Sequence, residues 1–176
     1  MVIWLTFEEE ILQHRAEFER FLKEGSDSPL TAEQKTDIKL QYFSPDEKYC
    51  VKANIEEFSK KRQKELVDKE GFPRKLIRFG KLRFEVEGIK CALEIFKDPD
   101  QEFFIAPFND GTSGKETYGA GRFVEPSPAA KGAFIIDFNK AYNPYCAYNP
   151  QRSCPMPYAR NRLPVVISSG EKTPAK

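Results

Sequence analysis

At Arg74 the hydrophobic pattern of this chain changes period. Leu76, Arg78, Leu82, Phe84, Val86 and Ile89 fall in short alternating runs divided by Gly80 and Gly88, the mark of half-buried strands joined by tight turns. The runs predict strands near 74–79, 81–87 and 89–96, then, past the Asp98-Pro99-Asp100 turn, near 102–108, 120–125, 133–138 and 164–168. Strand-like segments at 38–43 and 48–54 flank the turn Ser44-Pro45-Asp46. Strands and helices do not alternate, so nothing points to a parallel sheet. The expected fold class is mainly β (α+β): an antiparallel β-sandwich or open barrel with an N-terminal amphipathic helix.

Helical spacing is confined to the first 70 residues. Over 6–23, Phe7, Ile11, Phe18 and Leu22 recur at helical intervals, widened by Leu12 and Phe21. Thr6 and Glu9 form a capping box at its start. Gly25 is expected to end it in the left-handed cap conformation. Thr31 with Gln34 caps one short helical turn, and 56–69 reads as a charged surface helix with few apolar anchors. His14, the single histidine, reads as a helix-surface residue rather than a catalyst. The chain is read as a single domain, 1–176, with a β-rich core over 38–170 and a frayed tail at 172–176.

Fifteen Phe and seven Tyr supply enough apolar surface to exclude a disordered chain. No apolar run approaches the ~20 residues a bilayer span needs, and no membrane partner is expected. Glu8, Glu9 and Glu10 follow Leu5 almost at once, which is not an export signal, so the expected location is cytoplasmic. A formal net charge of +1 gives no global pull toward nucleic acid, and that partner is not favoured. The charges do separate locally: Lys60 to Arg83 holds ten basic and three acidic residues. A solvated surface is the plain reading of that stretch, and a basic docking patch the sharper one.

Two loops concentrate the chemistry. Asn109 to Arg122 reads NDGTSGKETYGAGR, glycine-rich enough to form an anion nest or simply hairpin turns. It fits neither the Walker spacing nor the dinucleotide fingerprint. Residues 137–163 combine Tyr, Phe, Asn and Pro in a loop stiff enough to position polar groups. Asn139 and Asn143 either cap turns there or bind a ligand. Cys146 and Cys154 make half a zinc site at most, so no metal is expected; they read as a disulfide or as buried reduced thiols. Cys50 and Cys91 read as small core residues.

Asp110, Thr112 and Gly114, then Thr117-Tyr118-Gly119-Ala120-Gly121-Arg122, Asp137-Phe138-Asn139 and Ala141-Tyr142-Asn143-Pro144 form an ordered motif set. It continues through Cys146-Ala147, Cys154-Pro155, Asn161 with Leu163, and Gly170-Glu171. With the upstream Ser28-Pro29-Leu30, Tyr42-Phe43, Asp46, Tyr49 and Ala53, this resembles domain-of-unknown-function family 1684 across nearly the whole chain. Tyr145 and Tyr158 stand where that pattern carries proline. The resemblance implies a common site at the shared polar residues and no particular substrate.

The favoured expectation is an uncharacterised protein that binds a small polar, anionic ligand between the 109–122 and 137–161 loops. The candidate lining is Asp110, Thr117, Tyr118, Arg122, Asp137, Asn139, Tyr142, Asn143 and Asn161, with Arg122 as the fork for a carboxylate or phosphate. An alternative is a hydrolase or lyase using Asp110 and Asp137 as acid and base with Arg122 beside them. A second alternative is a protein or nucleic-acid docking module using 60–83. No cofactor is expected. Asp110, Arg122 and Asp137 are expected to converge at one end of the sheet.

Overall fold

The computed structural model describes residues 5–67, 73–100, 103–149, 151 and 158–175. Helices α1 (Phe7–Glu24) and α2 (Ala32–Asp37) precede strands β1 (Cys50–Val67), β2 (Pro73–Val86), β3 (Ile89–Lys97), β4 (Phe104–Phe108), β5 (Arg122–Val124), β6 (Ser127–Pro128) and β7 (Ala133–Asp137). The strands form one sheet in the order β5-β4-β3-β2-β1-β7-β6, antiparallel throughout. Both helices open on capping boxes, Thr6 with Glu9 and Thr31 with Gln34. No described helix is long and apolar enough to cross a membrane.

Four expectations are corrected. Of the charged helix expected over 56–69, residues 56–67 are the second half of β1, where a helix would have had almost no apolar face to bury and the ladder to β2 satisfies the backbone instead; 68 and 69 lie outside the described residues. The two strands expected at 74–79 and 81–87 are one, β2. The segments at 38–43 and 164–168 carry no strand; Tyr42 makes an isolated bridge to Glu171, and Gly111 N–H donates to Val165 O at 2.8 Å. Gly25 is extended (φ −63°) rather than left-handed, and its lack of a side chain serves a close approach: a Cβ there would lie 2.5 Å from Phe21 O.

A bulge decides which faces are buried. Between Arg78 and Gly80, β2 carries one more residue than β3, and between Glu57 and Arg62 the β1 register also shifts. Side-chain period is two, so one inserted residue turns the strand over. Leu82, Phe84 and Val86 therefore join Leu93 and Ile95 in the main core. Leu76 instead faces the other way, with Phe96, Ile105, Phe123 and Tyr158.

The sheet is rolled. β4 and β7 stand four places apart, about 19 Å in a flat sheet at ~4.8 Å per strand, yet the rings of Phe104 and Phe134 meet at 5.1 Å. Phe138, just past β7, packs on Phe108 of β4 at 5.3 Å. The open side is crossed by the chain after β7, where Tyr142 exchanges backbone hydrogen bonds with Phe123 of β5 at 2.9 and 3.0 Å. The result is an open barrel with a crossing strap, and α1 lies beside that strap through Leu22, Phe18 and Phe21, which pack with Tyr145 and Tyr148.

Candidate functional site

Helix α1 turns one ridge toward the mouth of the rolled sheet. Phe7, Glu10, His14 and Phe18 recur at intervals of three and four, so their side chains stack along one line. With Arg15 they make one wall of a cleft of about 630 Å³. Phe103, Phe104, Ile135 and Pro126 contribute apolar surface, and Asp137, Lys140, Tyr142, Glu125 and Cys50 stand around it. Small-molecule sites typically occupy roughly 300–1,000 Å³ with this mixture of apolar surface and a few placed polar groups.

The polar groups are held in defined states. Asp137 ends β7 and caps the turn Phe138–Lys140, its Oδ1 accepting the Asn139 backbone N–H and side-chain amide, both at 3.0 Å. Its Oδ2 lies 3.8 Å from Lys140 Nζ. Burial lowers the pKa of His14, Lys140 pushes the same way, and the carboxylates of Asp137, Glu17 and Glu125 oppose both. Its imidazole is therefore mainly neutral at pH 7. Tyr142 donates to Glu125 Oε1 at 2.6 Å. Arg15 is buried, donates to Phe43 O at 2.9 Å and Asn139 O at 3.4 Å, and lies 4.6 Å over the Tyr42 ring. Cys50 is exposed on this cleft rather than in the core, opposite Asp137 in the β1–β7 register. Burial and the Asp137 charge raise its thiol pKa, so it is not an activated nucleophile.

Of the nine residues expected to bind ligand, Asp137, Asn139 and Tyr142 line the cleft, and Asp110, Thr117, Tyr118, Arg122, Asn143 and Asn161 do not. Arg122 is 1% exposed. It donates to the carbonyls of Ser169, Ile167 (3.1 Å) and Glu171 (3.2 Å) and lies 3.4 Å from Asp110 Oδ1. Asp110 also accepts from Thr112 and from Ile167 N–H at 2.7 Å. Asp110 and Arg122 thus converge as expected, but Asp137 is bound by Asn139 and Lys140 instead. The pair ties the C-terminal segment to the glycine-rich loop; both Nη groups are engaged and the side chain is buried, Nε included, so no edge of the guanidinium faces the cleft.

The other expected residues are also clamps. Thr117 and Thr112 share a hydroxyl hydrogen bond at 2.8 Å, and the N–H groups of Lys115, Glu116 and Thr117 all point to Thr112 O, so this loop is no anion nest. Asn161 is fully buried: its oxygen accepts from Glu94 N–H, and its amide donates to Glu94 O and Pro107 O, each at 2.8 Å. Asn139, though it borders the cleft, holds both backbone groups of Asp46 at 2.9 Å. Asn143 donates its backbone N–H to Glu171 Oε2 at 2.9 Å. Burial pushes the Glu171 carboxyl up to about 7, against the hydrogen bonds of Tyr148 and Asn143 and the Arg122 charge. Tyr118 donates to Cys146 Sγ at 3.6 Å, and Cys146 is disulfide-bonded; Cys154 lies outside the described residues. Among the described residues no group of three His, Cys, Asp or Glu is placed to hold a metal ion.

The helix wall of the cleft is not among the residues expected from the sequence. Glu10, His14 and Phe18 repeat at every fourth position, a line visible in the sequence, but which sheet edge that line would meet is a tertiary fact.

The sequence profile of a family described as Protein of unknown function (DUF1684) matches residues 38–172. The solution NMR structure of an uncharacterised protein from Haloarcula marismortui is similar to this chain, with 31% sequence identity and a TM-score of 0.76, over 93% of this chain and 92% of that one. Comparison with curated proteins gives no match. Helix α1 precedes the matched span, so one wall of the cleft is built from outside it.

Proposed function

Because the chain belongs to the family of proteins of unknown function DUF1684, membership brings no activity with it, and we propose that it binds a small molecule in the cleft between α1 and β7. The observation that carries this reading is the cleft itself, about 630 Å³ and lined by four aromatic Phe residues beside titratable groups. The sign of charge differs from the anionic ligand expected from the sequence. That expectation rested on Arg122, which is committed to Asp110 and three carbonyls. Within the cleft Lys140 is offset by Asp137, and Arg15 is committed to backbone carbonyls. Glu10 and Glu125 line the cleft together with Phe7, Phe18 and Tyr142, Glu125 accepting from the Tyr142 hydroxyl. Carboxylates next to aromatic walls favour a ligand with an apolar body and an ammonium or amide end.

Binding is favoured over carboxylate hydrolysis on one ground. Asp110, half of the acid–base pair such an enzyme would need, is 5% exposed and fully engaged by Thr112, Ile167 and Arg122. The test is a titration of amide-labelled protein with phenethylamine and, separately, with the similarly sized anion phenylpropionate. The amine is expected to move the amides of 7–18 and 125–142, and the acid to move them far less. Equal responses, or shifts confined to other surfaces, would overturn the proposal.

A further inference from the structure

We propose that the outer face of the β1–β2 hairpin holds a second binding site, one for the phosphate group of a small phosphate monoester. It shares no lining residue with the cleft and stands or falls separately from it. A concavity of about 240 Å³ is lined by Arg62, Gln63, Lys64, Arg78, Tyr158 and Arg160. The bulge in β2 creates it: by turning the strand over, it puts Arg78 on the outer face, where it pairs directly with Arg62 across the ladder. Like charges placed opposite each other on neighbouring strands repel. An anion seated between them reverses the sign of that interaction.

The floor is already neutralised. Glu94, buried beneath, accepts from Arg78 Nε and Nη2 at 2.7 Å each and from the Tyr158 hydroxyl, and Arg160 Nη1 lies 3.5 Å away. Burial works to raise the Glu94 pKa, but these partners overcome it and hold the carboxyl down to about 2. Among the described residues one fixed carboxylate stands among four cations, a surplus of three positive charges. Glu94 also fixes the Arg78 plane side-on, so that its Nη1 edge points away from the carboxylate. Guanidinium edges set at fixed angles match the oxygens of a phosphate better than loose ammonium groups do.

The aromatic rings decide between a single phosphate and a nucleic-acid strand. Strand-binding surfaces interleave basic residues with open aromatic faces on which bases stack. Here Lys64 covers the Tyr158 ring at 4.3 Å and Arg78 covers Phe58 at 3.9 Å. The protein's own cations hold those faces, leaving charge without a stacking platform among the described residues.

The experiment is an amide-shift titration with phenyl phosphate, run beside oligothymidylates of increasing length. Saturable shifts at Arg62–Lys64, Arg78 and Arg160 are expected. The double variant R62Q/K64Q, which leaves the Glu94 contacts intact, is expected to melt as the parent does and to bind phenyl phosphate about tenfold more weakly or worse. No saturable shift, an unaltered affinity in the double variant, or shifts confined to the α1 cleft would overturn the proposal. Oligothymidylate affinity that climbs with length would overturn it in favour of a polyanion track. Phenethylamine binding in the cleft would be untouched by any of these results.

Discussion

Replacing Arg122 with Lys keeps the charge and removes the fork. Arg122 uses Nη1 on the carbonyls of Ser169 and Glu171, and Nη2 on Ile167 O and Asp110 Oδ1. These acceptors flank a planar group from two directions, and an ammonium on a shorter reach cannot satisfy both sides. If one side is kept and the other lost, two buried acceptors go unpaired at about 1–3 kcal/mol each. The sum, about 2–6 kcal/mol, brackets the ~3–5 kcal/mol that breaking a buried ion pair usually costs. In a chain of this size each kcal/mol moves the melting temperature by about 2–4 °C, so a drop of about 10 °C is expected. The damage should begin locally, because Ile167 N–H donates to the same Asp110 carboxylate at 2.7 Å. Hydrogen exchange at Ile167 is therefore expected to accelerate before global unfolding does. A variant with the parent's melting temperature and unchanged protection at Ile167 would refute the clamp.

The other predictions are independent of it. Asn161→Ala strands the N–H and carbonyl of Glu94 and the carbonyl of Pro107, three groups whose loss is expected to cost at least about 3 kcal/mol in urea unfolding; a loss below about 1 kcal/mol would mean those groups repair themselves. Glu171 titrates at about 7 in the fold against an ordinary 4.5, so the native state holds the extra proton between those values and stability falls as pH rises through that window. Glu171→Gln, still able to accept from Asn143 N–H, is expected to flatten the fall; an identical pH profile would contradict the burial argument. The His14 midpoint by NMR should lie below 6.5, dropping further in Asp137→Asn and rising in Lys140→Met, and a midpoint that ignores both would place His14 outside the cleft's field.

The sequence was most legible where local chemistry decides the outcome. The capping boxes at Thr6 and Thr31 and the alternation through Leu82, Phe84 and Val86 depend on neighbours within a few residues, and all three are present. The charged half of β1 was not legible, because its strand character comes from partners such as Leu76 opposite Lys64, supplied by a later segment. For the site, composition located the stiff loops but could not say which polar residues point inward. Asn161 and Arg122 resemble ligand-binding residues because fixing a loop and fixing a ligand use the same amide and guanidinium geometry. Asp137 and Tyr142 reach the cleft only because α1 lies across them, and that placement depends on Leu22 meeting Tyr145 and Tyr148 far along the chain.

Crystals soaked in phenethylamine would show whether the space between α1 and β7 holds a cationic, partly apolar molecule. Ordered density is expected in the cleft, with the ring against Phe18, Phe104 or Tyr142 and the ammonium within hydrogen-bond reach of Glu10 or Glu125. An empty cleft in crystals where it is open to solvent, or density at another surface alone, would contradict it.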